Sequence, residues 1–284
     1  MARSTPLSIE EETRKSELRN RLCADRDIDC DYVTSLFGDP RLAVYYPPEP
    51  QPSATTPREH ERNPYLTKRF GLLTSESLQR CGDFVEAHLS AFRAAYATYG
   101  VPKEIICGHL RIESNFGVPT FLSPHPLGTV PAIDMLVTLY VRRPNRQESM
   151  YRFLRRQTFA LNELKDLLRA AESNGWDLFQ MPGSPTGAIG LAQFEPSSLN
   201  VAVDGDGDGK IDLFDPDDAI LSVAHYLVTR GWDNQPQHQY RAIYAYYGGQ
   251  YDADPNKYYM NAVLKYAQNM VEYFKSHPVG PGLQ

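Results

Sequence analysis

Apolar residues return every three or four positions along most of this chain, and that rhythm predicts helices. It is faint over roughly Ile9–Leu22 and clear from Ser75, where Leu78, Cys81, Val85, Leu89, Phe92 and Tyr96 keep step until Gly100 stops them. Pro102 opens another helix. Further helices are expected at about Ile133–Val141, Glu148–Asn174, Asp218–Thr229, Gln239–Tyr247 and Tyr258–His277. The two-residue alternation of a half-buried strand is nearly absent and there are no repeats, so the expected fold class is mainly α, with loops long enough to build a cleft. Residues 1–62 read as a polar, irregular extension that ends in a connector, Tyr46-Pro-Pro-Glu-Pro-Gln-Pro-Ser-Ala-Thr-Thr-Pro57. Proline at this density blocks both helix and central strand.

A length of 284 residues gives ample capacity to bury a core. The 29 Lys and Arg against 35 Asp and Glu leave a net charge of -6, which offers no basic field for phosphate backbones, so nucleic acid is not an expected partner. No apolar stretch approaches the roughly 18 residues of a membrane span. The start, Met1-Ala-Arg-Ser-Thr-Pro, lacks the apolar run of a secretory signal, which fits either a cytosolic protein or one whose signal is already removed. Cys23 has no apolar run before it and does not resemble a lipidation site. The four cysteines, Cys23, Cys30, Cys81 and Cys107, form no CxxC pair and so do not read as a zinc site. Their even number permits two disulfides in three connectivities, against the alternative of buried free thiols.

Three segments carry candidate chemistry. In the helix opened by Pro102, Ile106, His109, Leu110 and Glu113 share one stripe, which sets the Glu113 carboxyl against apolar surface. Such a setting disfavours the ionised form and suits a proton donor near neutral pH, whereas a helix-end salt bridge is the structural alternative. In the second segment, Gly183, Gly187 and Gly190 imply close backbone approach or positive φ before the uncharged Gln193. Their spacing matches neither a dinucleotide fingerprint nor a P-loop. The third, residues 204–215, has the EF-hand pattern: Asp204, Asp206, Asp208, Asp212 and Asp215 at loop positions 1, 3, 5, 9 and 12, with Gly209 at the turn and Lys210 offering its carbonyl. A structural Ca²⁺ is expected there, although the Asp at position 12 is a shorter arm than the usual Glu.

Glu113-Ser-Asn-Phe-Gly117, Gly128 with Asp134-x-Leu136-x-Thr138-Leu139, Gly187-x-x-Gly190-Leu-x-Gln193-Phe-x-Pro-Ser-Ser198, the DxDxDG loop, and Asp215-Pro-x-Asp218-Ala-Ile occur here in one order. That ordered set, over about Asn63 to Phe274, resembles the lytic murein transglycosylase B family. The resemblance implies a lysozyme-like, goose-type-like α domain with an extra helical subdomain and an EF-hand-type calcium loop, occupying residues 63–284. It implies cleavage of the β-1,4 bond between N-acetylmuramic acid and N-acetylglucosamine without water, leaving 1,6-anhydromuramic ends. Glu113 matches the catalytic glutamate. Ser114, Gln193, Phe194, Ser197, Ser198, Tyr246 and Tyr247 fall where substrate would be lined, with Tyr247 standing where the family usually has Asn.

The implied partner is the peptidoglycan glycan strand, and the implied location is the periplasm or cell envelope. In that oxidising compartment Cys23 would pair with Cys30, across a short loop, and Cys81 with Cys107. Ordinary glycosidases use two carboxylates. Asp134 and Glu195 read as structural, so Glu113 would act alone, first as acid and then as base, with the sugar's N-acetyl group stabilising the cation. Two other readings remain at this level: a hydrolytic muramidase, and a calcium-stabilised peptidoglycan-binding protein without turnover.

Overall fold

The computed structural model describes residues 2, 3, 6–46, 63–144, 148–249 and 251–279. Among them, regular structure is nearly all helical: α1 (Ile9–Cys23), α2 (Cys30–Gly38), α3 (Ser75–Ala87), α4 (Leu89–Tyr99), α5 (Lys103–Glu113), α6 (Ala132–Val141), α7 (Met150–Asn174), α8 (Pro216–Thr229), α9 (Pro236–Tyr246) and α10 (Tyr258–Ser276). Two-residue strands pair antiparallel, β1 (Ala2–Arg3) with β2 (Tyr45–Tyr46) and β3 (Val130–Pro131) with β4 (Pro182–Gly183). The mainly α expectation holds. The proline-rich run after Tyr46 lies outside the described residues.

The chain forms two compact units, each made from two separate segments: Met1–Pro52 with Leu127–Asn200, and Ser53–Pro126 with Val201–Gln284. The first unit draws helices from the segment that composition suggested was irregular. Its apolar residues are few, but Leu18 and Leu22 on α1 and Val33 and Leu36 on α2 are all buried. Asp29 caps α2 by accepting the Asp31 amide at 2.8 Å, a local signal too short for periodicity to reveal. The Cys23–Cys30 disulfide ties the end of α1 to the start of α2. On α6, buried Asp134 accepts the Ala43 amide at 3.2 Å and Thr138 accepts the Tyr45 amide at 2.9 Å. Asp134 is therefore structural, as its position near a helix start suggested.

Gly187 and Gly190 take the left-handed backbone, φ 89° and 74°, as the glycine cluster predicted. A Cβ on Gly187 would lie 2.7 Å from Leu136 Cγ. Gly187→Ala is expected to cost about 2 kcal/mol through left-handed strain and overpacking, measured as a lowered urea midpoint at unchanged slope.

In the second unit, the single helical run expected from Ser75 breaks at His88 (φ −117°, ψ 35°) into α3 and α4. His88 Nδ1 lies 2.7 Å from the Asp217 carboxylate on α8, a partner that sequence spacing cannot show. The Cys81–Cys107 disulfide joins α3 to α5. Both disulfides are thus in the expected pairing. Gly108 lets α5 and α10 approach closely, since a Cβ there would stand 3.0 Å from Val263 Cγ1. That contact sets the residues of α10 beside the end of α5.

Candidate active site

Glu113 is the last residue of α5 and half-buried. The carbonyl end of a helix opposes a negative charge, so the carboxylate depends on outside donors. Tyr259, on α10, supplies one: its hydroxyl donates to Glu113 Oε1 at 2.5 Å. His109, one turn back on α5 and fully buried, brings Nδ1 to 2.8 Å from the same hydroxyl, while its Nε2 has no hydrogen-bond partner among the described residues. Around them the rings close in. Tyr246 lies 4.4 Å from the His109 ring and parallel to Tyr259 at 6.2 Å; Tyr247 stacks on Tyr259 at 5.8 Å and Tyr65 meets it edge-on at 6.0 Å.

Burial, reinforced by the Glu113 charge, pushes the hydroxyls of Tyr246 and Tyr259 well above the ordinary tyrosine value and that of Tyr65 up to about 12. All three remain neutral hydrogen-bonding groups at any physiological pH. Burial also holds the His109 imidazole down to about 3, so it stays neutral. Tyr65, Tyr244, Tyr247, Asp254, Asn256 and Tyr259 are among the walls of a cavity of about 360 Å³. A second cavity of about 60 Å³ has Glu113, Ser114, Phe70 and Leu122 in its wall.

The turn after Glu113 carries two non-glycine residues in the left-handed region, Asn115 (φ 53°) and Phe116 (φ 57°). Strain of this kind persists where surrounding structure imposes it, and it concentrates at functional sites. Ser114 is buried, and its hydroxyl serves the turn, donating to the Leu110 carbonyl at 3.4 Å and accepting the Gly117 amide at 3.3 Å. Tyr247 is exposed and walls the larger cavity with its ring. Sequence reasoning passed over Tyr65, His109 as a polar group, and Tyr259. His109 and Tyr259 sit in step with apolar neighbours and read as core.

Gln193, Phe194, Ser197 and Ser198 belong to the other unit. Gln193 is also left-handed (φ 49°), and its Nε2 donates to the Gly190 carbonyl at 2.8 Å. Phe194 is 2% exposed, so its ring is core rather than a wall. The exposed Ser197 donates its amide to Glu163 Oε2 at 2.8 Å and edges a groove of about 310 Å³ with Asp166 and Arg169, while the Ser198 amide donates to the Glu195 carbonyl. Beside them, Thr186 donates to Glu195 Oε1 at 2.7 Å, while Oε2 is buried without a hydrogen-bond partner among the described residues.

Burial, with the Glu163 charge adding and the Thr186 bond opposing, lifts the Glu195 carboxyl from 4.5 to about 7. The folded state therefore holds a proton that the unfolded chain releases near pH 4.5, and stability falls as pH rises from there through about 7. Glu195→Gln should raise stability at pH 8 by roughly 2–3 kcal/mol and change little at pH 4, seen as a Tm difference that appears only in the basic scan.

In the acidic loop, the carboxylate oxygens of Asp204, Asp206 and Asp218 lie within 4.8 Å of one another. Asp218, buried on α8, accepts the amides of Gly205 and Asp212, each at 2.6 Å. Asp208 accepts the Lys210 amide and Asp212 the Phe214 amide, both at 2.8 Å, within their own turns. Asp215, placed at loop position 12 by the sequence pattern, instead caps α8 through the amides of Asp217 and Asp218. The helix register brings in the residue three positions later in its stead.

The family described as the transglycosylase SLT domain matches residues 11–278. The membrane-bound lytic murein transglycosylase B of Escherichia coli (strain K12) is 35% identical over 169 residues, which are 59% of this chain and 42% of that protein, so the match spans less than half of its length. Among solved structures, Pseudomonas aeruginosa SltB3 in complex with NAG-anhNAM-pentapeptide superposes with a TM-score of 0.71 at 22% identity, over 93% of this chain and 80% of that one. The Escherichia coli lytic transglycosylase SLT35 in complex with calcium gives 0.65 at 21%, over 92% and 93%. These structures share the fold described above.

Proposed function

We propose, since the chain belongs to the transglycosylase SLT domain family, that it is a lytic transglycosylase of peptidoglycan. It would cleave the β-1,4 bond between N-acetylmuramic acid and N-acetylglucosamine and leave a 1,6-anhydromuramic end. The observation that carries this reading is Glu113 itself: one half-buried carboxyl at a helix end, in the wall of the smaller cavity and fixed by the hydroxyl of Tyr259, whose ring walls the larger, aromatic one. Protonated Glu113 donates to the glycosidic oxygen as the C1–O bond breaks. The sugar's N-acetyl oxygen stabilises the cation at C1, which removes the need for a second carboxylate. The C6 hydroxyl then attacks C1 and gives its proton to the Glu113 carboxylate, which restores the acid.

Tyr rings with polar tips suit this substrate, because a pyranose presents apolar faces and hydroxyl edges. Tyr246 and Tyr247 are proposed to line the sugar on their unit, and Gln193, Ser197 and Ser198 are proposed as substrate contacts of the other. Mass analysis of the products tests the reaction. Anhydro-muropeptides are expected from purified peptidoglycan, and reducing muramic ends alone would make the protein a hydrolytic muramidase.

The acidic loop offers only hard oxygen donors, and three carboxylates converge in it, so it fits a Ca²⁺ ion. Asp204, Asp206 and Asp218 would hold the ion, with Asp208, the Lys210 carbonyl and Asp212 on the same loop; its contribution is to fix the loop to α8. Binding to the folded state alone adds about 2.7 kcal/mol at a hundredfold excess over Kd. Tm is accordingly expected to rise with Ca²⁺ and fall with chelator. A melting curve indifferent to both removes the site. A periplasmic or envelope location completes the reading, supported by both disulfides, which persist in oxidising compartments.

A further inference from the structure

His109, Tyr259 and Glu113 form a chain of three polar groups: Nδ1 to hydroxyl at 2.8 Å, hydroxyl to Oε1 at 2.5 Å. A hydroxyl has one hydrogen, so only two orders are open to a neutral chain. In the first, His109 Nδ1–H donates to Tyr259 and Tyr259 donates to Glu113, and Nε2 is a bare lone pair. In the second, a protonated Glu113 donates to Tyr259, Tyr259 donates to Nδ1, and the imidazole hydrogen sits on Nε2. Among the described residues the buried Nε2 has no hydrogen-bond partner. An orphaned buried N–H is rarer and costlier than an under-used lone pair, which selects the first order.

We propose that His109 is a positioning residue for Glu113: its Nδ1–H turns the Tyr259 hydroxyl hydrogen onto Oε1, so that the proton Glu113 delivers rides on Oε2. This rests on the reading of Glu113 as the proton donor. The groups facing the chain from other elements do not disturb it. Tyr65, from the 3₁₀ turn Pro64–Leu66, and Tyr246, from α9, keep their hydrogens. The Arg111 guanidinium is engaged by Ser77 and the carbonyls of Phe70 and Gly71. Asp254, in the cavity wall, accepts from Tyr244 and the Asn256 amide. With the imidazole neutral, its one hydrogen is a fixed instruction rather than a titrating one.

The tautomer is read directly by ¹⁵N NMR of labelled imidazoles in the whole chain, with His109 assigned by the loss of its signals in His109→Leu. Hydrogen on Nδ1 with bare Nε2 is expected, and hydrogen on Nε2 overturns the proposal. This readout needs no turnover, so the two failures are told apart: a wild-type protein that leaves peptidoglycan intact refutes the transglycosylase reading, and hydrogen on Nε2 refutes the order of the chain. Turnover supplies the second arm. Removing a donor from the carboxylate lets the acid stay protonated to higher pH. The ratio of turnover at pH 8 to that at pH 5 should then rise about tenfold in Tyr259→Phe, as expected for one lost hydrogen bond to a charge.

His109→Leu should raise the same ratio about threefold, because it removes only the polarising partner. The double variant should not exceed Tyr259→Phe. His109→Asn, whose amide N–H stands where Nδ1 stood, should keep the wild-type ratio. A wild-type ratio in His109→Leu, or an Asn variant that behaves like Leu, overturns the proposal.

Discussion

Glu113→Gln is expected to lower turnover on purified peptidoglycan by at least about 10²–10⁴, the range for a lost general acid–base group, while the protein stays folded. The amide keeps the shape of the carboxyl, and its oxygen still accepts from the Tyr259 hydroxyl that holds Oε1. What disappears is the proton for the leaving oxygen and the base that later takes one from the C6 hydroxyl. Because the helix end opposes a negative charge, Tm should stay the same or rise. Near-normal turnover in this variant would remove Glu113 from the mechanism. A fall in turnover with an equal fall in Tm would mean that the side chain matters for folding instead.

The second large effect is structural. Replacing Cys81 and Cys107 by Ala frees a loop of sequence separation 26, and chain entropy alone puts the cost at about 3.5 kcal/mol. Both cysteines are fully buried, so the Ala pair also leaves a packing defect beside the joint of α3 and α5. Denaturant titration of the double variant in oxidising buffer checks this, and a midpoint equal to wild type would contradict it. Opening Cys23–Cys30, a separation of 7, should cost less, about 2.5 kcal/mol on the same scale. Free-thiol titration of the unmutated protein should find none.

The long helices were legible because each buries a continuous stripe: α6, α7, α8 and α10 begin and end within three residues of where periodicity puts them. The α2 helix was not, since nine residues with two buried positions make too short a pattern. The break at His88 was hidden for another reason: the partner its ring meets is an Asp 129 positions away. Glu113 stood out as a charge on an apolar stripe. Its partner Tyr259 did not, because a tyrosine in helical register is indistinguishable from core until a carboxylate is found at its hydroxyl. In the acidic loop the residue types were plain from sequence, yet the choice between Asp215 and Asp218 depends on which one the first turn of α8 claims as its cap.

Each unit is assembled from two stretches of chain, which bears on how the protein emerges from a ribosome. The segment before residue 52 cannot complete its unit until residue 200 has been made, and the segment around Glu113 must wait for α10. Nascent chains would therefore carry unsatisfied apolar surface on α1, α5 and α6 for most of synthesis, a window in which chaperones act and aggregation competes. The same interleaving means that no single cut yields two autonomous halves. Fragment expression would have to supply each unit's two segments together, joined by a new linker, before either could be studied alone.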